Sequence, residues 1–176
     1  MENEKKLFTV SVYTENNIGL LNRISAIFLK RHVNIESLTS SQSEIENIYR
    51  FVILVTVSET KIKRIIKQIE KQIEVIAAFY HSDKETIFLE TALYKVKSKS
   101  LFEKKDIQKI IKNSQANIVT VSPKYFVIEK TGWRNETEAL YNSLEPFGLL
   151  QFVRSGRISV TKQAMNISDI LKIKKK

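Results

Sequence analysis

Glu15-Asn16-Asn17-Ile18-Gly19-Leu20-Leu21-Asn22-Arg23-Ile24, running on to Arg31-His32-Val33-Asn34, is the stretch that decides the fold. A polar turn with one glycine leads into a segment where Leu20, Leu21, Ile24, Ile27 and Phe28 recur at helical spacing. The pattern predicts a helix over 19–31. Lys30 and Arg31 fall in its last turn, where cations offset the helix dipole, and His32 ends it. Before the turn, residues 7–13 alternate apolar and polar, with Phe8, Val10 and Val12 on one face of a strand.

Working outward, residues 33–40 read as a second strand, 41–47 as a polar hairpin loop, and 48–57 as a third strand. That third strand is dense in β-branched residues and is expected at the centre of a sheet. Ser58 or Thr60 caps a second helix, whose apolar face is Ile62, Ile65, Ile66, Ile69 and Ile73. Residues 75–80 make a fourth strand. The order β-α-β-β-α-β is the ferredoxin-like split motif, a four-stranded antiparallel sheet with both helices on one face. The other face then needs a cover, and dimerisation supplies one.

A polar link, His81-Ser82-Asp83-Lys84, precedes a second round of the same order. A strand over 85–96 carries Ile87, Leu89, Ala92, Leu93 and Val96. A helix over 101–114 turns Leu101, Phe102, Ile107, Ile110 and Ile111 inward. Strands at 117–122 and 125–131 flank Pro123-Lys124. A helix opens at Trp133 or Arg134; its apolar members are Ala139, Leu140 and Leu144, with Trp133 added if it falls inside the helix, and Pro146 and Gly148 close it. Residues 149–154 form a strand that 156–160 extend as a hairpin. The fold class is therefore α+β: two consecutive ferredoxin-like βαββαβ domains. Beyond them, Ile167, Ile170, Leu171 and Ile173 form a weak apolar repeat that fits either a short helix or a disordered tail.

Composition narrows the function. The chain has 176 residues and no cysteine, so disulfides and thiolate chemistry are excluded. No apolar run approaches the length of a membrane span, and the N-terminus lacks the apolar core of a secretory signal, so a cytoplasmic location is expected. The net charge of +10 is uneven: residues 1–80 hold 11 Lys/Arg and 9 Asp/Glu, and residues 81–176 hold 18 and 10. The lysines are scattered, and the densest run is Lys172-Ile173-Lys174-Lys175-Lys176. Tyr94, Tyr125, Phe126 and Trp133 are dispersed, unlike the aromatic platform of a single-strand binder, so no nucleic-acid partner is expected.

Catalytic constellations are scarce. His32 and His81 are the two histidines, and neither has a ligand-spaced companion. No nucleotide-binding glycine loop or nucleophile elbow is present. The turn at Asn16–Gly19 stands out instead. A glycine at a helix start allows close approach to the backbone, and the first helical N–H groups suit a carboxylate. Asn16 offers an amide donor and an acceptor, so an α-amino acid fits. The plain reading is that Asn16 or Asn17 is a turn residue and helix cap.

Residues Asn16-x-x-Gly19-Leu20-Leu21-x-Arg23-Ile24, followed by Arg31-His32-Val33-Asn34-Ile35-Glu36-Ser37-Leu38-Thr39, resemble the ACT domain of the acetolactate (acetohydroxyacid) synthase regulatory small subunit. The match continues at Tyr49-Arg50-Phe51, at Ala116-Asn117-Ile118-Val119-Thr120-Val121-Ser122-Pro123, and at Arg154-Ser155-Gly156. It covers about residues 5–162.

The resemblance implies an ACT domain over 1–81, a second ferredoxin-like domain over 85–162 and a basic tail over 163–176. It implies a non-catalytic regulatory subunit, a homodimer through its ACT domains, that activates a large catalytic subunit and confers feedback control by branched-chain amino acids, with valine the first guess. Thiamine diphosphate, magnesium and FAD are implied for the catalytic partner and no cofactor for this chain. Asn16 and the backbone at Ile18, Gly19 and Leu20 are implied to hold the effector, with Asn34 contributed by a neighbouring copy. The alternative is a free-standing amino-acid sensor acting on another protein. One departure is His32, where the family usually has glycine. Histidine tolerates a left-handed backbone better than branched residues do.

Overall fold

In a computed structural model, residues 4–103 and 105–174 are described, without the side chains of 101–103, 105 and 172–174. The chain divides into two compact units: unit 1 comprises Met1–Ile87 with Arg157–Lys176, and unit 2 comprises Phe88–Gly156. Both are antiparallel sheets packed against helices, the expected α+β class.

Unit 1 is built from β1 (Lys5–Glu15), α1 (Leu20–Lys30), β2 (Ser37–Gln42), β3 (Ile48–Ser58), α2 (Glu59–Ile69) and β4 (Val75–Ser82), with sheet order β2-β3-β1-β4. β1 and β3 are central, paired without a break from Lys5↔Ser58 to Glu15↔Ile48. Their alternation puts Phe8, Val10, Val12, Phe51, Ile53, Val55 and Val57 on the helix side. Leu20, Ile24, Ile27 and Phe28 of α1 and Ile62, Ile65, Ile66 and Ile69 of α2 meet them there.

Two expected core residues lie outside this core. Leu21 is 41% exposed because the buried stripe of α1 runs through Leu20, Ile24, Ile27 and Phe28 and leaves Leu21 at its margin. Ile73 is 98% exposed because α2 ends before it, in the turn that leads to β4. The second strand also starts later than residue 33. Helix α1 closes with His32 at φ 51°, its N–H on the Leu29 carbonyl and the Val33 N–H on the Phe28 carbonyl. This is a Schellman closure with histidine in the glycine position, and the chain needs Asn34–Glu36 to return to the sheet. The strand β4 runs through His81 and Ser82, two residues expected in a link.

The second face of the unit 1 sheet is partly covered by the chain itself, where a partner alone was expected to cover it. After β9 (Ile158–Thr161), α6 (Ile167–Lys174) buries Leu171 completely against Tyr13, Ile48 and Ala77. Full burial of a leucine contributes about 1.5–3 kcal/mol. The tail is thus a helix at 167–174; of the Lys172–Lys176 run, only the backbone of 172–174 is described, and the side chain of Ile173 lies outside the described residues.

Unit 2 contains β5 (Thr86–Lys97) from Phe88 on, α3 (Ser98–Glu103), α4 (Lys105–Asn113), β6 (Asn117–Val121), β7 (Tyr125–Gly132), α5 (Arg134–Leu144) and β8 (Leu149–Arg154), in sheet order β6-β7-β5-β8. Its core is Ala92, Tyr94, Val96, Ile107, Ile111, Phe126, Ile128, Leu140 and Leu144. The expected Leu101 and Phe102 side chains lie outside the described residues. Leu89 and Leu93 point to the opposite, open face of β5, because the buried set alternates through Ala92, Tyr94 and Val96. Ala139 is exposed and Thr137 is buried in its place, where its carbonyl accepts the Tyr94 hydroxyl at 2.7 Å. Trp133 precedes α5 and is 54% exposed. The expected hairpin after β8 is absent: β9 does not pair with β8.

Candidate functional site

The turn between β1 and α1 is held from three sides. The Glu15 N–H donates to the Glu74 carbonyl at 3.0 Å, and Arg23 reaches back from α1 to the Glu74 carboxylate at 2.5 Å. The Asn17 N–H donates to the Glu15 carbonyl, and the Leu20 N–H to the Asn17 carbonyl. Arg23, part of the motif, therefore works as a brace for the turn.

Gly19 occupies the N-cap position at φ 81°, ψ −2°, with no side-chain cap on the helix. A Cβ there would meet nothing within 4 Å, so glycine is required by the backbone angle and not by crowding. The Ile18 and Gly19 N–H groups find no acceptor among the described residues. They join the helix N-terminus as open donors with a positive dipole end behind them. Asn16, Asn17 and Ile18 are exposed, and Ile18 fully so; Leu20 is buried in the core.

Asn34 lies at the opposite end of α1, beyond His32 and Val33, and is exposed. An 11-residue helix spans about 16 Å at 1.5 Å per residue, so one copy of the chain does not bring Asn16 and Asn34 together. The two groups face solvent from the two ends of one helix.

In unit 2, Arg154-Ser155-Gly156 forms a clasp at the end of β8. The Ser155 N–H donates to the Thr91 carbonyl at 2.8 Å, and its Oγ accepts the Thr91 N–H at 2.9 Å. Arg154 pairs with Glu138 at 2.5 Å and stands 3.6 Å from the buried Glu90 carboxylate, over the Phe152 ring. These contacts tie the motif to β5 and α5 of unit 2.

Among the described residues no group of three His, Cys, Asp or Glu side chains could hold a metal, and no helix is long and apolar enough to cross a membrane.

Two family models match this chain. One, described as an AHAS small subunit-like ACT domain, matches residues 10–77; the other, described as the small subunit of acetolactate synthase, matches residues 89–163. The acetolactate synthase small subunit of Mycobacterium bovis is 34% identical over 157 residues, spanning 89% of this chain and 93% of that protein. The chain belongs to the acetolactate synthase small subunit family. The Bacillus subtilis small subunit is 35% identical over 153 residues, 86% of this chain and 87% of that one. The crystal structure of the Thermotoga maritima acetolactate synthase small subunit superposes with a TM-score of 0.81 at 27% identity, covering 91% of this chain and 99% of that one. The unit 1 turn is thus the β1–α1 turn of an ACT domain. Helix α6 lies beyond the residues that either family model matches.

Proposed function

We propose that this chain is the regulatory subunit of an acetolactate synthase: it raises the activity of a thiamine-diphosphate-dependent catalytic subunit and makes that activity responsive to a branched-chain amino acid, valine first. The chain does no chemistry of its own on this reading. The observation that carries it is the braced turn at Asn16–Leu20, with Gly19 left-handed and the Ile18 and Gly19 N–H groups open at the start of α1.

These donors take the effector carboxylate, and the Asn16 amide takes part of its polar head. The Asn34 amide reaches the same ligand from a second copy, which the separation across α1 favours over any arrangement within one chain. An effector held between two copies acts by binding one arrangement of the pair better than another. A coupling of about 1–3 kcal/mol gives a 5–150-fold response.

Reconstitution with the catalytic subunit, assaying acetolactate formation with and without valine, leucine and isoleucine, tests the regulatory role. Activation by the small subunit is expected, with a response to at least one amino acid that Asn16→Ala or Asn34→Ala weakens tenfold or more. No activation of any catalytic subunit, together with direct amino-acid binding by calorimetry, would instead identify a free-standing sensor.

A further inference from the structure

The second face of the unit 1 sheet holds a cavity of about 150 Å³. Its floor is the sheet: Tyr13 of β1, Arg50 of β3, and Phe79 and His81 of β4. Its roof is the C-terminal segment, with Met165 and Ile167 facing down. The strand alternation explains the floor. Tyr13 pairs directly with Arg50, and both point away from the helix side where Val12 and Phe51 pack.

Arg50 is the unusual member. Its Nη2 donates to the Ser11 hydroxyl at 3.0 Å and to the Ser159 carbonyl at 2.6 Å. Both acceptors are neutral. Its Nε is sealed from solvent and has no hydrogen-bond partner, and no carboxylate pairs with it among the described residues. No Asp or Glu lines the cavity. The remaining wall, Phe79, Val160, Met165 and Ile167, is largely apolar. The guanidinium lies 5.7 Å from the Tyr13 ring centroid, and with neutral partners alone a half-buried cation favours an anion beside it.

We propose that this cavity binds a short-chain aliphatic carboxylate, its oxygens on Arg50 and its hydrocarbon end against Phe79, Met165 and Ile167. A cavity near 150 Å³ accepts a molecule of about six heavy atoms, on the scale of one that holds benzene. A free amino acid fits less well, because its ammonium would meet no acid in the wall. This site is separate from the β1–α1 turn and takes a different ligand, so it stands independently of the effector reading.

The test is amide-resolved NMR on the full chain, titrated with isobutyrate, with its neutral amide isobutyramide, and with valine. Isobutyrate is expected to give saturable shifts at Ser11, Arg50, His81 and Val160, and isobutyramide to bind at least about tenfold more weakly, as loss of a charge-assisted bond requires. Arg50→Gln is expected to abolish the isobutyrate shifts while the β1 amides keep their dispersion. Absence of saturable shifts at these residues, or equal affinity for isobutyrate and isobutyramide, overturns the proposal, and neither result depends on the variant folding. Valine binding here as tightly as isobutyrate would overturn it too. Valine shifts confined to Asn16–Leu20 belong to the effector site, and their absence would remove that reading alone.

Discussion

The Arg50 guanidinium donates to the Ser159 carbonyl at 2.6 Å, joining a central strand of unit 1 to a segment 109 residues further on. The same segment is pinned by three more bonds at Arg157. Arg157, 5% exposed, donates to the Thr9 hydroxyl at 3.0 Å and the Asp83 carboxylate at 2.6 Å, and its carbonyl accepts the Thr39 hydroxyl at 2.9 Å. Polar bonds thus place the strap, and α6 adds the apolar contact beyond it.

Leu171→Ala follows directly. The side chain is fully buried, and truncation at such a site costs about 2–5 kcal/mol. The loss is expected to fall first on α6, whose other described contacts are half-buried. Hydrogen exchange should show α6 amides losing protection well before those of β1 and β3. Equal loss across unit 1 would mean that α6 and the sheet unfold as one piece.

His32 adopts φ 51° in a position where glycine is at ease. The left-handed backbone strains a side-chain-bearing residue by about 1–2 kcal/mol, and the greater freedom of glycine in the unfolded chain takes back about 0.4–1. His32→Gly is therefore expected to stabilise the fold by up to about 1.6 kcal/mol, read by urea unfolding. A destabilised variant would mean that the imidazole makes a contact worth more than the strain.

Burial lowers the pKa of His81 from its usual 6.5, and the charge of Arg50 pushes the same way, against an opposing pull from Glu85. The unfolded chain then binds the proton more readily than the folded one between 6.5 and the lower folded value. Stability is expected to fall as pH drops through that window and to be retained above it. Imidazole titration by NMR checks the direction, and His81→Gln should flatten that part of the stability profile. A folded midpoint above 6.5 would contradict the reading.

In unit 2, Tyr94 is fully buried and its hydroxyl is held by the Thr137 carbonyl; burial raises its pKa from 10.0 to about 12. Here the folded chain keeps its proton longer than the unfolded one. Stability is expected to fall as pH rises from 10 towards 12. Tyr94→Phe removes this slope together with one of the two hydrogen bonds on the Thr137 carbonyl, whose other donor is the Tyr141 N–H of the same helix, at a cost of about 0.5–1.5 kcal/mol. Ultraviolet titration of phenolate formation, compared between the two proteins, isolates Tyr94.

Strong periodicity made most of the architecture legible. The isoleucines of α2 and the alternation of Phe8, Val10 and Val12 each point to one buried face, and the structure buries them there. Gly19 and His32 were legible for a different reason, since each sits where a helix begins or ends. The errors have physical causes. Leu21 obeys the helical period but lies at the margin of the buried stripe, which only packing decides. The role of 157–171 was hidden because its partners, Thr9, Thr39 and Arg50, are more than a hundred residues away. One signal was available: an arginine at position 50, inside an otherwise apolar strand, needs a polar environment on that face.

Unit 1 is discontinuous along the chain, with residues 88–156 between its two parts. Synthesis runs from the N-terminus, at roughly 5–20 residues per second, and units fold as they emerge. The sheet and helices of residues 5–82 therefore leave the ribosome well before the strap that partly covers their second face. During that interval Arg50, Tyr13, Ile48 and Ala77 lack the cover that the later residues supply. Order of synthesis thus leaves this face bare until residues 157–171 arrive.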